Sequence, residues 1–152
     1  MLNRFLQKTR TCFDRLGHVF VMQDYVLFFL RVWIAKIFYL SGRAKAGDDF
    51  LTPSDMTITL FEDEYDLPVL DPETAAQLAL YAETFLPLML MLGFGARFGA
   101  IGLIGMTLVI QFLVYPGYFA EHATWLATLL PILMLGAGRI SLDHLIVVRS
   151  AK

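Results

Sequence analysis

The chain has 152 residues, of which 57% are hydrophobic and 14% aromatic, with a formal net charge of −2 and a mean hydropathy of +0.61. Charged residues make up 17%, against roughly 25% in an ordinary soluble domain, and they cluster between long apolar runs. This excludes a soluble globular domain and a nucleic-acid-binding surface and predicts an integral membrane protein in contact with the lipid bilayer, built as one all-α domain without a linker or internal repeat.

In chain order, residues 1–22 read as an amphipathic helix lying on the cytoplasmic membrane surface. Leu2, Phe5, Leu6, Phe13, Leu16 and Phe20 fall near one face, and the basic residues mostly fall elsewhere. No small-residue cleavage site follows an apolar core, which argues against a signal peptide. Four spans follow at 25–42, 74–93, 98–115 and 122–135, each near or below the usual length of a transmembrane helix. Continuous apolar runs favour helices over barrel strands. Pro87 and Pro131 are expected to kink their spans and not to end them.

The connections set the orientation. Arg4, Lys8, Arg10, Arg15, Arg97, Arg139, Arg149 and Lys152 fall on one side, so both termini are expected in the cytoplasm of a bacterial cell, with the protein in its inner membrane. The other side holds the acidic stretch 43–73, "RAKAGDDFLTPSDMTITLFEDEYDLPVLDPE". Its acidity reads first as a solvated face and second as a cation site. Within it, Thr52 is the expected N-cap of a short helix, with Pro53 at its first position and Asp55 in its first turn, after which "YDLPVLDP" should run extended. Residues 139–152 form a cytoplasmic tail in which Ser141 caps a last short helix with Asp143 in its first turn.

Ionisable groups inside spans are costly and usually pair within the bundle. Glu83 lies mid-span, and the first span offers Arg31 and Lys36. Five residues at about 100° each put these two roughly 140° apart, whereas Arg31 shares its face with Phe38, Gly42 and Lys45. The expected pair is therefore Glu83 with Arg31, leaving Lys36 as the odd member of a polar core, open between reaching Glu83 from the side, facing a subunit neighbour and snorkelling. Such a pair has two readings: one that fixes helix register, and one that relays protons or holds a polar ligand. Toward the outer half, Tyr39, Lys45, Tyr81, Gln111, His122 and Trp125 gather as a candidate ligand pocket about the size of an aromatic ring. Taken singly, Tyr and Trp also mark interfaces, and a His at a helix end also serves as an anchor. Gly95, Gly99, Gly102 and Gly105 read as a close-packing stripe, and Tyr115-Pro116-Gly117 as a turn with positive φ at the glycine.

Cys12 is the only cysteine, so the chain alone cannot cycle a disulfide or hold an iron-sulfur cluster. His18 and His144 lie on the side opposite His122, so they cannot join it in flanking one haem unless subunits combine. No Cys/His cluster of metal-site spacing, phosphate loop or serine elbow occurs. No catalytic residue, metal or cofactor is evident.

Arg31, "FYLSGRAK" ending in Lys45, "AETFLPLMLMLGFGARFGAIGLIGMTLVIQFLVYP", His122, Trp125 and "GAGRISLDHL" together resemble the DoxX family of small four-helix membrane proteins, over about residues 31–145. The resemblance aligns Arg31, Lys45, Glu83, Arg97, Gln111, His122 and Trp125 with that family's recurrent polar and aromatic positions. It implies membrane redox work, as in the subunit type of a thiosulfate:quinone oxidoreductase or a membrane oxidoreductase complex in thiol stress. The outer segment looks most like a subgroup often encoded beside enzymes that modify metal-binding peptides. Lys36, the "GAG" at 136–138 and Phe119 depart from the pattern. The leading expectation is a redox-associated subunit that contacts quinone, with an oxidoreductase subunit as protein partner. Two alternatives stand beside it: a noncatalytic partner that docks or exports a modified peptide in metal or oxidative stress, and small-solute transport by an oligomer.

Overall fold

The computed structural model describes the backbone of residues 2–65, 68 and 70–150, and the side chains of that set from residue 21 onward. Helix α1 runs Leu2–Lys45, α2 Asp55–Leu60, α3 Pro72–Leu92, α4 Ala96–Val109, α5 Phe119–Leu135 and α6 Leu142–Ser150. A π-helical turn, Phe61–Tyr65, extends α2, and a second, Ile110–Val114, extends α4. Four segments are long and apolar enough to cross a membrane: Val21–Lys45, Pro72–Leu92, Ala96–Val114 and Pro116–Leu135. Helices α1 and α5 pack together, as do α1 and α3, α3 and α4, and α4 and α5, which closes a four-helix ring. No strand occurs among the described residues.

Burial is arranged for a lipid solvent. Ile34, Phe38, Leu90, Leu103, Leu129 and Ile132 fill the core between small alanines, while Phe29, Trp33, Phe98, Phe112, Phe119 and Met134 face outward. So large an exposed apolar surface is expected only where lipid or another protein covers it. The buried polar set is Arg31, Thr57, Glu83, Thr84, Thr107, Gln111 and His122. Pro87 and Pro131 lie inside continuous helices.

Local chemistry fixes the helix ends. Asp71 caps α3 by accepting from the Thr74 N–H at 2.9 Å, with Pro72 at the first position. Gly93 ends α3 at φ 64°, a left-handed conformation that favours glycine. Asp143, in the first turn of α6, reaches back to α4, where its carboxylate accepts from Gly95 N at 2.8 Å and Ala96 N at 3.2 Å. Ser141 caps α6 as expected, accepting from His144 N.

Several boundaries differ from those the sequence suggested. The backbone of α1 is helical without a break from residue 2 into the first span, and the amphipathic face assigned to residues 1–22 lies outside the described side chains. The first span reaches Lys45 because Arg43 and Lys45 find partners within the fold. Span four starts at Pro116, since Pro116–Tyr118 forms a 3₁₀ turn that runs directly into α5, and Gly117 is not among the positive-φ glycines. Ser54, not Thr52, caps α2: its Oγ accepts from Thr57 N, and Pro53 is buried just before it. The stretch expected to run extended falls partly on residues outside those described. Of the glycine stripe, Gly99 and Gly102 admit the Leu86 backbone and side chain, Gly95 is a turn residue at φ 58°, and Gly105 meets nothing within 4 Å.

Candidate functional site

Helices α1 and α3 pack tightly at Gly42, where an added Cβ would stand 2.8 Å from Glu83 Cβ and 3.0 Å from its carbonyl oxygen. That register sets the chemistry. Lys45 lies on the same face of α1, three residues beyond Gly42, and donates to Glu83 Oε2 at 2.8 Å and Oε1 at 3.1 Å. Ser41, one turn before Lys45, accepts from it at 2.9 Å, so all three ammonium protons are used. The side chains are 14% and 3% exposed respectively.

The expected Arg31–Glu83 pair is not formed. Arg31 lies 14 residues before Lys45, about 21 Å along the helix axis, and meets the opposite end of α3. Its guanidinium donates to Leu90 O at 3.0 Å and to Ile140 O, which satisfies carbonyls at the end of α3 and in the segment before α6. Lys36 also leaves the proposed polar core, because it is exposed on the outer surface of α1.

The Lys45–Glu83 pair borders a cavity of about 650 Å³ between α1, α3, α4 and α5, at the end of the bundle away from the termini. His122 and Trp125 line it as well. Gln111 stands behind His122, positioned by the π-helical turn that extends α4. Its amide nitrogen donates to Pro116 O at 2.9 Å, and its oxygen lies 2.7 Å from His122 Nδ1. The first bond orients the amide, so Nδ1 carries the proton and donates to Gln111. In the tautomer that this bond selects, Nε2 is the acceptor nitrogen of the ring. Trp125 packs edge-on to Phe38 at 5.1 Å and lies 5.0 Å from the His122 ring.

The roof comes from the two connections at this end. Tyr115 donates to Glu64 Oε1 at 2.6 Å, and Tyr65, Tyr115 and Tyr118 form successive edge-to-face contacts at 5.7 Å. The Glu64 carboxylate, and secondarily burial, push the Tyr115 phenol above the ordinary tyrosine range, which keeps it a neutral donor.

Of the predicted pocket, Lys45, His122 and Trp125 line the cavity and Gln111 supports it. Tyr39 and Tyr81 do not line it. Tyr39 lies under the Arg43 guanidinium at 5.5 Å, and Tyr81 points outward, 40% exposed, against Phe85. The tie between Glu64 and Tyr115 joins residues 51 apart in the chain, and no motif marks it. Arg43 is anchored by Phe50, whose ring it covers at 3.8 Å and whose carbonyl it bonds at 2.7 Å, and by the Thr84 hydroxyl. Among the described residues no group of three His, Cys, Asp or Glu is placed to hold a metal ion.

The arrangement is a mostly apolar chamber with three polar stations. One is the Lys45–Glu83 ion pair, one the His122 imidazole held through Nδ1, and one the Tyr115–Glu64 pair of the roof. Such a chamber suits a small, partly apolar ligand that exchanges a proton or hydrogen bond with the wall. No curated protein and no solved structure matches the chain. The DoxX family model matches residues 26–116, more than half of the 152 and enough to include Lys45, Glu83 and Gln111. With four apolar spans and this match, the chain belongs to the DoxX family.

Proposed function

We propose that this protein is a redox-associated subunit of a bacterial inner membrane that binds a quinone in the cavity beside His122. The observation that carries the reading is the His122 imidazole, tied through Nδ1 to Gln111 and lining a mostly apolar chamber. A volume of about 650 Å³ falls within the ~300–1,000 Å³ typical of small-molecule sites. The residues fit a ring bearing oxygen substituents: His122 Nε2 accepts from a ring hydroxyl, Trp125 packs on the ring, and the Lys45–Glu83 pair supplies charge. A bound quinone supplies two-electron chemistry. The chain's own part is to bind and orient the ring and to take one of the two quinol hydroxyl protons at His122 Nε2, the other leaving to water at the cavity mouth. The two electrons pass to a partner oxidoreductase subunit, named here by chemical class only.

The same reading sets the termini in the cytoplasm. Arg97, Arg139 and Arg149 are exposed at the end of the bundle that carries the termini, whereas Asp48, Asp49, Glu62 and Asp63 are exposed at the other. The cavity then lies on the periplasmic side, where a proton taken by His122 is released outward.

The test is a titration of detergent-solubilised protein with a short-chain ubiquinol, kept reduced under argon, read by quenching of Trp125 fluorescence in a Trp33→Phe background. Saturable quenching, weakened at least about tenfold by His122→Ala, is the expected result. Quenching that is linear in quinol and unchanged in His122→Ala would sink the reading.

A further inference from the structure

Lys36 is the charged residue that the bundle leaves outside. It is exposed on α1 within a stripe formed by Phe29, Trp33 and Leu40, which are 63%, 52% and 55% exposed. Phe29 and Trp33 stack at 6.2 Å with an interplanar angle of 17°, forming a flat aromatic shelf one to two turns away. Between Asp24, tied to Arg139 near one end of the span, and Lys45 at the other, Lys36 lies about 18 Å from the first and about 14 Å from the second. Helical side chains lean toward the N-terminus, so Lys36 leans away from the nearer end of its span. Snorkelling is thereby handicapped, and a lysine left in lipid at the helix centre costs about 2.5–3.5 kcal/mol on insertion scales.

The chemistry that removes this cost is a carboxylate presented at the same depth. A second copy of this chain does not supply one. The carboxylates in its four spans are Asp24, Glu73, Glu83 and Glu121. Asp24 is bonded to the Arg139 backbone and side chain near the start of its span. Glu73 and Glu121 sit in the first turns of α3 and α5. Glu83 is buried against Lys45. We infer that the Lys36 face of α1 is a docking surface for a transmembrane helix of another membrane protein, one that carries an aspartate or glutamate at mid-membrane depth. The carboxylate meets the ammonium, and the shelf of Phe29 and Trp33 packs against the partner's apolar side chains. This assignment stands apart from the cavity and does not depend on what the cavity binds.

The experiment reconstitutes the full chain, labelled at Cys12 with a donor fluorophore, in phosphatidylcholine vesicles. The probe is an acceptor-labelled polyleucine transmembrane peptide carrying one central aspartate, with its all-leucine parent as control. Energy transfer should report about tenfold tighter association with the aspartate peptide. Lys36→Met should abolish that preference, Lys36→Arg should keep it, and both variants should retain wild-type helicity. Equal association of the two peptides, or a preference that survives Lys36→Met, would overturn the inference. Transfer between two differently labelled copies of the chain that is lost in Lys36→Met would assign the surface to self-association and overturn it equally.

Discussion

Replacing Lys45 by methionine keeps most of the side-chain volume and removes the cation that meets Glu83. Both Glu83 oxygens accept from the Lys45 ammonium, at 2.8 and 3.1 Å, and the carboxylate is 3% exposed. At an effective dielectric of about 20, a pair at this separation attracts by roughly 6 kcal/mol before desolvation is subtracted. Both side chains are far below a third exposed, so solvent screening reduces the effect little. Removing one partner of such a pair costs about 3–5 kcal/mol, mostly because the survivor stays buried without compensation. Lys45→Met is therefore expected to destabilise by about 3 kcal/mol or more, and Glu83→Gln by less, because the amide oxygen still accepts from Lys45. The double variant should recover at least about 2 kcal/mol of the summed losses. The assay is unfolding in mixed micelles of increasing SDS fraction, read by Trp125, which packs on Phe38 in the bundle core, in a Trp33→Phe background. Losses that add to within about 0.5 kcal/mol, as for independent sites, would refute the pairing.

Gly42→Ala is expected to cost about 1–3 kcal/mol, because the new Cβ would lie 2.8 Å from Glu83 Cβ and 3.0 Å from the Glu83 carbonyl oxygen. In the same unfolding assay Gly105→Ala, with open space around its Cβ, should be neutral or stabilise by up to about 1 kcal/mol through helix propensity. Asp143→Ala removes the acceptor for two N–H groups at the start of α4 and should cost about 1–2 kcal/mol, visible as faster amide exchange at Gly95 and Ala96. The Asp71 carboxyl is held below its usual range by its hydrogen bond from Thr74, so the unfolded chain binds more protons there than the folded one. The cap's contribution is thus fully present above the unfolded-state value of 3.8 and lost as pH falls through the lower folded value. The Thr74 amide shift should follow that titration, and Asp71→Asn should flatten it.

The four spans were legible because lipid imposes long uninterrupted apolar runs, and the polar face of α1 was legible because helical periodicity puts Arg31, Gly42 and Lys45 together. Depth was not. Angular position repeats along a helix, whereas the choice between Arg31 and Lys45 as partner depends on the axial register of α1 against α3. That register is set by Gly42 meeting the Glu83 backbone, a contact between residues 41 apart. Helical periodicity leaves Lys36 open between reaching Glu83 from the side, facing a subunit neighbour and snorkelling, and the structure places it outward. Tyr39 and Tyr81 share a depth with the cavity but not a direction. Gln111 and His122 were legible as neighbours in the outer half, but the role of each nitrogen depends on the π-helical turn and on Pro116 O, which no local pattern encodes.

Purified protein in mild detergent, extracted with organic solvent and read by absorbance and mass spectrometry, addresses the proposed role of the cavity most directly. The account predicts near-stoichiometric quinone in the extract of the wild-type protein and its loss from His122→Ala of equal helicity. An extract free of quinone from well-folded protein, or equal quinone in both, would contradict it.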